Sequence, residues 1–206
     1  MRESILKKAI EMFLSLGFKS VTMDDIAAAL GISKKTIYQH FANKTELVEA
    51  VTLELFEKIS TGIDAILSSG KNPIEEIFTV RKFLIQNLNN ENASPFYQLQ
   101  KFFPDLHTAL RQRQFEKMHK GMIQNLERGV AQGFYRKDID IEFISRIYFT
   151  GLSGIKDMDI FPSTKFRPEE LTLKFLEYHF RGIVTPAGLL VLRDILENDV
   201  MNLIKF

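Results

Sequence analysis

Residues 22–47, TMDDIAAALGISKKTIYQHFANKTEL, decide how the rest of the chain is read. Thr22 offers a side-chain oxygen to the free N–H groups at a helix start, and Asp25 stands three residues on, a variant of the capping box. Asp24 and Asp25 sit where the helix dipole favours negative charge. Ile26, Ala27, Ala29 and Leu30 form a short helix of small residues that can approach a neighbour closely, and Gly31 ends it. Ile32 faces inward and Ser33 is the next N-cap. A second helix is expected from Lys34 to Phe41, in which Ile37 and Phe41 are four residues apart and share one face. After Ala42 and Asn43 a further helix begins at Lys44, with Leu47, Val51, Leu55 and Ile59 at helical spacing. A short helix, a tight glycine turn and a second helix make a helix-turn-helix. A helix presented to a major groove needs an apolar side for its scaffold and an uncharged or cationic face for DNA. Residues 34–40 supply both.

Outward from this stretch, helix is expected nearly everywhere. Upstream, Ile5, Leu6, Ala9, Ile10, Phe13, Leu14 and Leu16 recur at spacings of three and four, and Gly17 closes the helix. The segment 18–23 is too short and irregular for a strand. Downstream, the helix from Lys44 continues to about Ile66, and Pro73 suits the first turn of a helix running to about Leu88. NNENASP (89–95) is a polar loop. Residues 96–103 form a short apolar helix stopped by Pro104, and a long helix follows from about Leu106 to Gln132, closed by Gly133. Asp140 caps a helix to about Lys156, Pro168 opens one through Arg181, and a last helix starts near Ala187.

Composition bounds the function. In 206 residues, 45% are hydrophobic and 26% charged, the balance of a folded globular chain. There is no cysteine, hence no disulfide framework, thiolate nucleophile or cysteine-ligated metal. No apolar run approaches the ~20 residues that span a bilayer, and the N-terminus mixes charges into its apolar positions, unlike a secretory signal. A soluble, cytoplasmic protein with no membrane partner is expected. Net charge is 27 − 26 = +1, with seven basic against six acidic residues in 1–50 and 20 against 20 in 51–206. A DNA-binding surface must therefore come from local placement of charge. Between Ile26 and Thr45 there are three lysines and His40, and no carboxylate.

The signatures of zinc hydrolases, serine hydrolases, nucleotide-phosphate loops and dinucleotide folds are all missing, and His40, His107, His119 and His179 show no metal-ligand spacing. Asp157 and Asp159 read as a solvated turn. No catalytic residue, metal ligand or cofactor is expected.

The segment ILKKAIEMFLSLGFKSVTMDDIAAALGISKKTIYQHFANKTELVEAV, residues 5–51, resembles the DNA-binding domain of the tetracycline-repressor (TetR) family of transcription regulators. The resemblance rests on A-x-x-x-F before a glycine, a threonine-led D-I-A, G-I-S-x-x-T-I-Y-x-H-F and K-x-x-L, matched in order over about 45 residues. It implies an all-α fold, with a three-helix DNA-binding domain at 1–47 and a helical ligand-binding and dimerisation domain at 48–206. It implies that Tyr38 and His40 face phosphates, with Lys44 joining them at a helix N-terminus. Thr22 and Ser33 cap helices and also touch the backbone of the duplex. Lys34, Lys35, Thr36 and Gln39 are placed to reach base edges, lysine suiting guanine O6/N7 and glutamine adenine N6/N7. Lys35 stands where the family often has glycine, alanine or proline, so the base preference is expected to depart from the common one. A protein-interaction module built on a helix-turn-helix that has lost DNA binding is the competing reading, and the intact face from Lys34 to Lys44 argues against it.

The remaining residues resemble the family only loosely. Fifteen of the 18 phenylalanines lie there. In the family these helices enclose a small-molecule cavity and form a homodimer, so the implied partners are a double-stranded DNA operator, a second copy of the chain and a small-molecule effector. Candidates to line the cavity are Phe78, Phe83, Phe102, Phe103, Phe115, Met118, His119, Met122 and Phe149. Arg81, Arg111 and Arg146 are candidate counter-charges for a charged effector. The dimer helices are expected at about 140–156 and 169–182, where Ile144, Ile147, Tyr148, Leu171, Phe175 and Tyr178 form apolar stripes whose inner and outer sides the sequence does not separate. The tail after Thr185 either covers an edge of the core or extends the dimer interface.

Overall fold

The computed structural model describes residues 1–88 and 94–203. Among them are ten α-helices and no strand: α1 (Arg2–Leu16), α2 (Met23–Leu30), α3 (Lys34–Tyr38), α4 (Lys44–Leu67), α5 (Pro73–Leu88), α6 (Ser94–Phe102), α7 (Pro104–Ala131), α8 (Ile141–Gly154), α9 (Pro168–Arg181) and α10 (Pro186–Leu203). The fold is all-α, as the sequence implies. The loop expected at 89–95 lies, over 89–93, outside the described residues.

Local signals act where they were expected. The Thr22 hydroxyl accepts from the Asp25 N–H while the Asp25 carboxylate accepts from the Thr22 N–H at 2.8 Å, a complete reciprocal cap on α2. Gly31 takes the left-handed conformation (φ 64°) and donates to the Ala27 and Ala28 carbonyls, closing α2. Ser33 caps α3 through the Thr36 N–H, and Asp140 caps α8 through the Phe143 N–H. Asn43, not singled out in the sequence, caps α4 by accepting from the Glu46 N–H at 2.9 Å. Three expectations need correction. Helix α3 stops at Tyr38, because the Ile37 carbonyl accepts from both His40 and Phe41 and the last turn tightens, leaving Gln39 and His40 in a turn. Leu16 is 59% exposed and leaves the apolar stripe of α1. Pro104 opens α7 as well as ending α6, since a proline at a helix start forfeits no helical bond.

The chain packs as two compact units. The first comprises residues 1–61 and 87–114. Its core joins Ile5, Ala9 and Phe13 of α1, Ile26 of α2, Ile37 and Phe41 around α3, and Leu47 and Val51 of α4. Leu99 of α6 is buried in the same core, with Phe103, Leu106 and Leu110 packed against it. The second unit comprises 62–86 and 115–206, centred on Ile74 and Phe78 of α5, Leu126 of α7, Tyr148 of α8, Leu176 and Phe180 of α9 and Leu192 of α10. One isolated β-bridge pairs Tyr135 with Val184 and fixes the α7–α8 loop against the α9–α10 loop. The tail after Thr185 lies in this core: Leu192 is fully buried, and Asp199 pairs with Arg81 and Lys82 of α5.

His179 of α9 sits among the rings of Tyr148, Phe175 and Phe180, and burial lowers its pKa to about 4 from 6.5. Between those values the unfolded chain takes up a proton that the folded chain refuses. This histidine's contribution to stability is therefore intact above pH 6.5 and declines as pH falls toward 4, by about 3 kcal/mol in all. Urea unfolding at neutral pH and near pH 5 measures it. His179→Leu should lose stability less steeply on acidification than the wild type.

Candidate nucleic-acid interface

Each residue expected to meet DNA is carried by the first unit. The burial of Ile37 and Phe41, both at 1% exposure or less, fixes the roll of α3 on α1 and α4, so Lys34, Lys35, Tyr38 and Gln39 are turned outward. Tyr38 keeps 43% of its surface exposed. Thr36 is half-buried, its hydroxyl 2.8 Å from that of Ser33, so the pair closes on the helix start. Thr22 is exposed, and its hydroxyl is taken up by Asp25. His40 is half-buried in the turn after α3.

Lys44 opens α4 half-buried, and its ammonium donates to the Lys19 carbonyl at 3.2 Å. Burial lowers its pKa, and the nearby Asp25 carboxylate opposes that shift. Lys19 also donates its backbone N–H to Gln98 Oε1 of α6 at 2.8 Å. Gly17, at φ 85°, makes room: a Cβ there would collide with the Gln98 amide, and a side chain rarely adopts that backbone conformation. Gln98 is a residue the sequence gives no reason to select, since its contact spans 79 positions.

Lys34, expected to point freely outward, has a partner. Its ammonium lies 2.9 Å from both carboxylate oxygens of Asp24 on α2 and 5.9 Å from the centre of the Tyr38 ring. The hydrogen bond with Asp24 raises the pKa of Lys34. Lys35 and Gln39 are exposed.

The candidate effector residues divide between the units. Phe102 and Phe103 belong to the first: the ammonium groups of Lys19 and Lys101 lie over the Phe102 ring, and Phe103 packs edge-on against Phe18. The other seven belong to the second. Phe115 stacks on His119 and meets Phe149 edge-on, while Phe78 packs against Phe180 and Met122 is buried in the core. Met118 packs against the same core, and the Phe83 ring lies over Gly62. His119 is satisfied, with Nδ1 2.8 Å from the Ser145 hydroxyl and Nε2 3.3 Å from Glu142. Arg81 is buried against Asp199 and Arg146 pairs with Glu142, so each already faces a carboxylate.

On α8 and α9 the two sides separate. Tyr148 and Leu171 are buried within the unit and Ile144 and Phe175 pack against its core, whereas Phe143 (57%), Ile147 (41%) and Tyr178 (80%) are exposed.

Comparison with known proteins agrees with this geometry. Residues 5–51 match the family model described as bacterial regulatory proteins, tetR family. Over 193 residues the chain is 28% identical to the transcriptional repressor KstR2 of Mycolicibacterium smegmatis, covering 91% of this chain and 92% of that protein. It is 27% identical over 164 residues to the regulator TtgR of Pseudomonas putida, covering 75% and 77%. Among solved structures, SmeT, the repressor of a Stenotrophomonas maltophilia multidrug efflux pump, shares the fold with a TM-score of 0.64 at 18% identity, over 91% of this chain and 92% of that one. The ketosteroid regulator KstR2 of Mycobacterium tuberculosis superposes with a TM-score of 0.54 at 22% identity, over 89% and 95%. Residues 5–51 thus match the DNA-binding segment of the tetR-family regulators, and the chain is similar to a transcriptional repressor along nearly its whole length.

Proposed function

We propose that the chain is a homodimeric repressor that binds a near-palindromic operator and is released from it by a small-molecule inducer, with DNA contact carried by residues 1–47 and regulation and dimerisation by 48–206. The observation that carries the reading is the outward face of α3, cationic and uncharged side chains on a helix whose roll is fixed by Ile37 and Phe41. Lys35 and Gln39, with Lys34, meet the groove, and Tyr38, His40 and Lys44 meet phosphates. Binding at such a site places the protein with the DNA, in the cytoplasm.

Two copies must set their recognition helices about 34–36 Å apart to enter successive major grooves. The exposed Phe143, Ile147 and Tyr178 of α8 and α9 supply an apolar face for that pairing. Ile147→Asp with Tyr178→Asp should convert the dimer to monomer in light-scattering measurements while leaving the helical content intact. For the effector, the aromatic cluster Phe115, His119 and Phe149 with Phe78 and Met122 suits an apolar molecule. An inducer that binds more tightly to a conformation with altered headpiece spacing weakens DNA binding by the same factor that DNA weakens its own.

The test is titration onto a duplex from upstream of the chain's own gene, beside a scrambled duplex, at two salt concentrations. Preferential, salt-sensitive binding to the first is expected. Equal weak binding to both, followed by a genome-wide selection that recovers no site, overturns the reading.

A further inference from the structure

We propose that Asp24 is a specificity-determining residue of the DNA interface: its carboxylate holds the Lys34 ammonium as a donor for base edges and denies it to phosphates. The inference rests on the reading of α3 as the recognition helix.

Asp24 is free to take this part because the cap of α2 does not use it. Thr22 and Asp25 complete that cap between themselves. Among the described residues Asp24 has one polar partner, Lys34, which meets both its oxygens at 2.9 Å. The Tyr38 ring flanks the ammonium on the recognition-helix side, so the Lys34 head is held at the seam between α2 and α3. An ammonium carries three N–H donors. One is directed at the Asp24 carboxylate, and two are left.

What those two donors can take as partners follows from charge. Guanine O6 and N7 are neutral acceptors, and a carboxylate beside the donor disturbs them little. A phosphate brings a full negative charge and is repelled by Asp24. Non-specific binding is built almost wholly from phosphate neutralisation and counterion release, so a lysine paired in this way adds little to it. The pair is solvent-exposed at both ends, 52% for the Lys34 side chain and 62% for Asp24, so it is weak enough to adjust when a base edge is offered. The carboxylate thus lowers affinity for any sequence while sparing the contact that reads one.

The experiment uses the full chain as wild type, Asp24→Asn, Lys34→Met and the double variant, each titrated onto the scrambled and the upstream duplex over a series of KCl concentrations. Asparagine keeps the size and helix-start preference of aspartate, and unchanged thermal midpoints verify that the folds are equivalent. Asp24→Asn is expected to bind the scrambled duplex roughly three- to fivefold more tightly. Its salt dependence should steepen by about one unit of log K per log salt, and the ratio of upstream to scrambled affinity should fall. On the Lys34→Met background the same change should alter scrambled binding by less than about twofold, the mark of an effect acting through Lys34. The proposal is overturned if Asp24→Asn leaves both the scrambled affinity and the salt slope unchanged, or if its gain persists without Lys34. Failure of the wild type to bind either duplex overturns the recognition-helix reading itself, whereas normal wild-type binding with an inert Asp24→Asn overturns this inference alone.

Discussion

Arg128→Met should lower the unfolding free energy by about 3 kcal/mol. Glu76 is fully buried on α5, and its carboxylate accepts from both terminal nitrogens of Arg128 and from the Asn125 amide at 3.0 Å. The Asn125 amide also donates to the Pro73 carbonyl, and its oxygen accepts from the Tyr135 hydroxyl at 2.9 Å. Every group in the network has its partners. Methionine keeps the aliphatic stem of Arg128 and removes the charge, leaving a buried carboxylate with a single donor. For a chain of this length the thermal midpoint should fall by roughly 6–12 °C. Replacing Glu76 and Arg128 together by Leu and Met removes the stranded charge, and the double variant should be more stable than Arg128→Met alone. A loss below about 1 kcal/mol for the single variant would mean that water reaches Glu76.

Lys44→Met is expected to weaken binding to the upstream duplex by about ten- to a hundredfold, the worth of one charge-assisted hydrogen bond. The stem of Lys44 is half-buried at the start of α4 and methionine can fill the same space, so folding should be little affected. The ammonium is what is lost. If it neutralises one phosphate, the slope of log K against log salt should shrink by about 0.9. The upstream and scrambled duplexes should suffer alike, because a phosphate contact positions the protein without reading sequence. Equal slopes for wild type and variant would show that Lys44 serves α4 and the Lys19 carbonyl, not the DNA.

The parts of the fold legible in the sequence are those fixed by neighbours within a turn. Thr22, Ser33 and Asp140 act on N–H groups three residues away, and Gly31, Pro73 and Pro168 set their own backbone. The outward face of α3 follows for the same reason, since two apolar residues four apart orient everything between them. What was not legible depends on a surface that another segment supplies. The stripe of α9 gives no means of telling that Leu171 is buried while Tyr178 is 80% exposed, because both sides are apolar. Phe102 and Phe103 resemble cavity residues by type, yet they pack beside Lys19 and Phe18. Gln98 and Glu76 carry no local signature at all. Their partners lie 79 and 52 positions away, and only the folded chain brings them together. Asp24 is the intermediate case: its place in the first turn of α2 was evident, and its use by Lys34, ten residues on, was not.

The burial of Leu99 in the core built by α1 to α4, together with the Gln98 bond to the Lys19 peptide, bears on how such a regulator can be taken apart. The segment that would touch DNA ends near residue 47, but the body that folds around it is stitched from two lengths of chain, 1–61 and 87–114. The reader head is therefore not a portable cartridge. A chimera that transplants only the first fifty residues onto a foreign sensor leaves Leu99, Phe103 and Gln98 behind, and the new host would have to furnish the same plug for the hole they vacate.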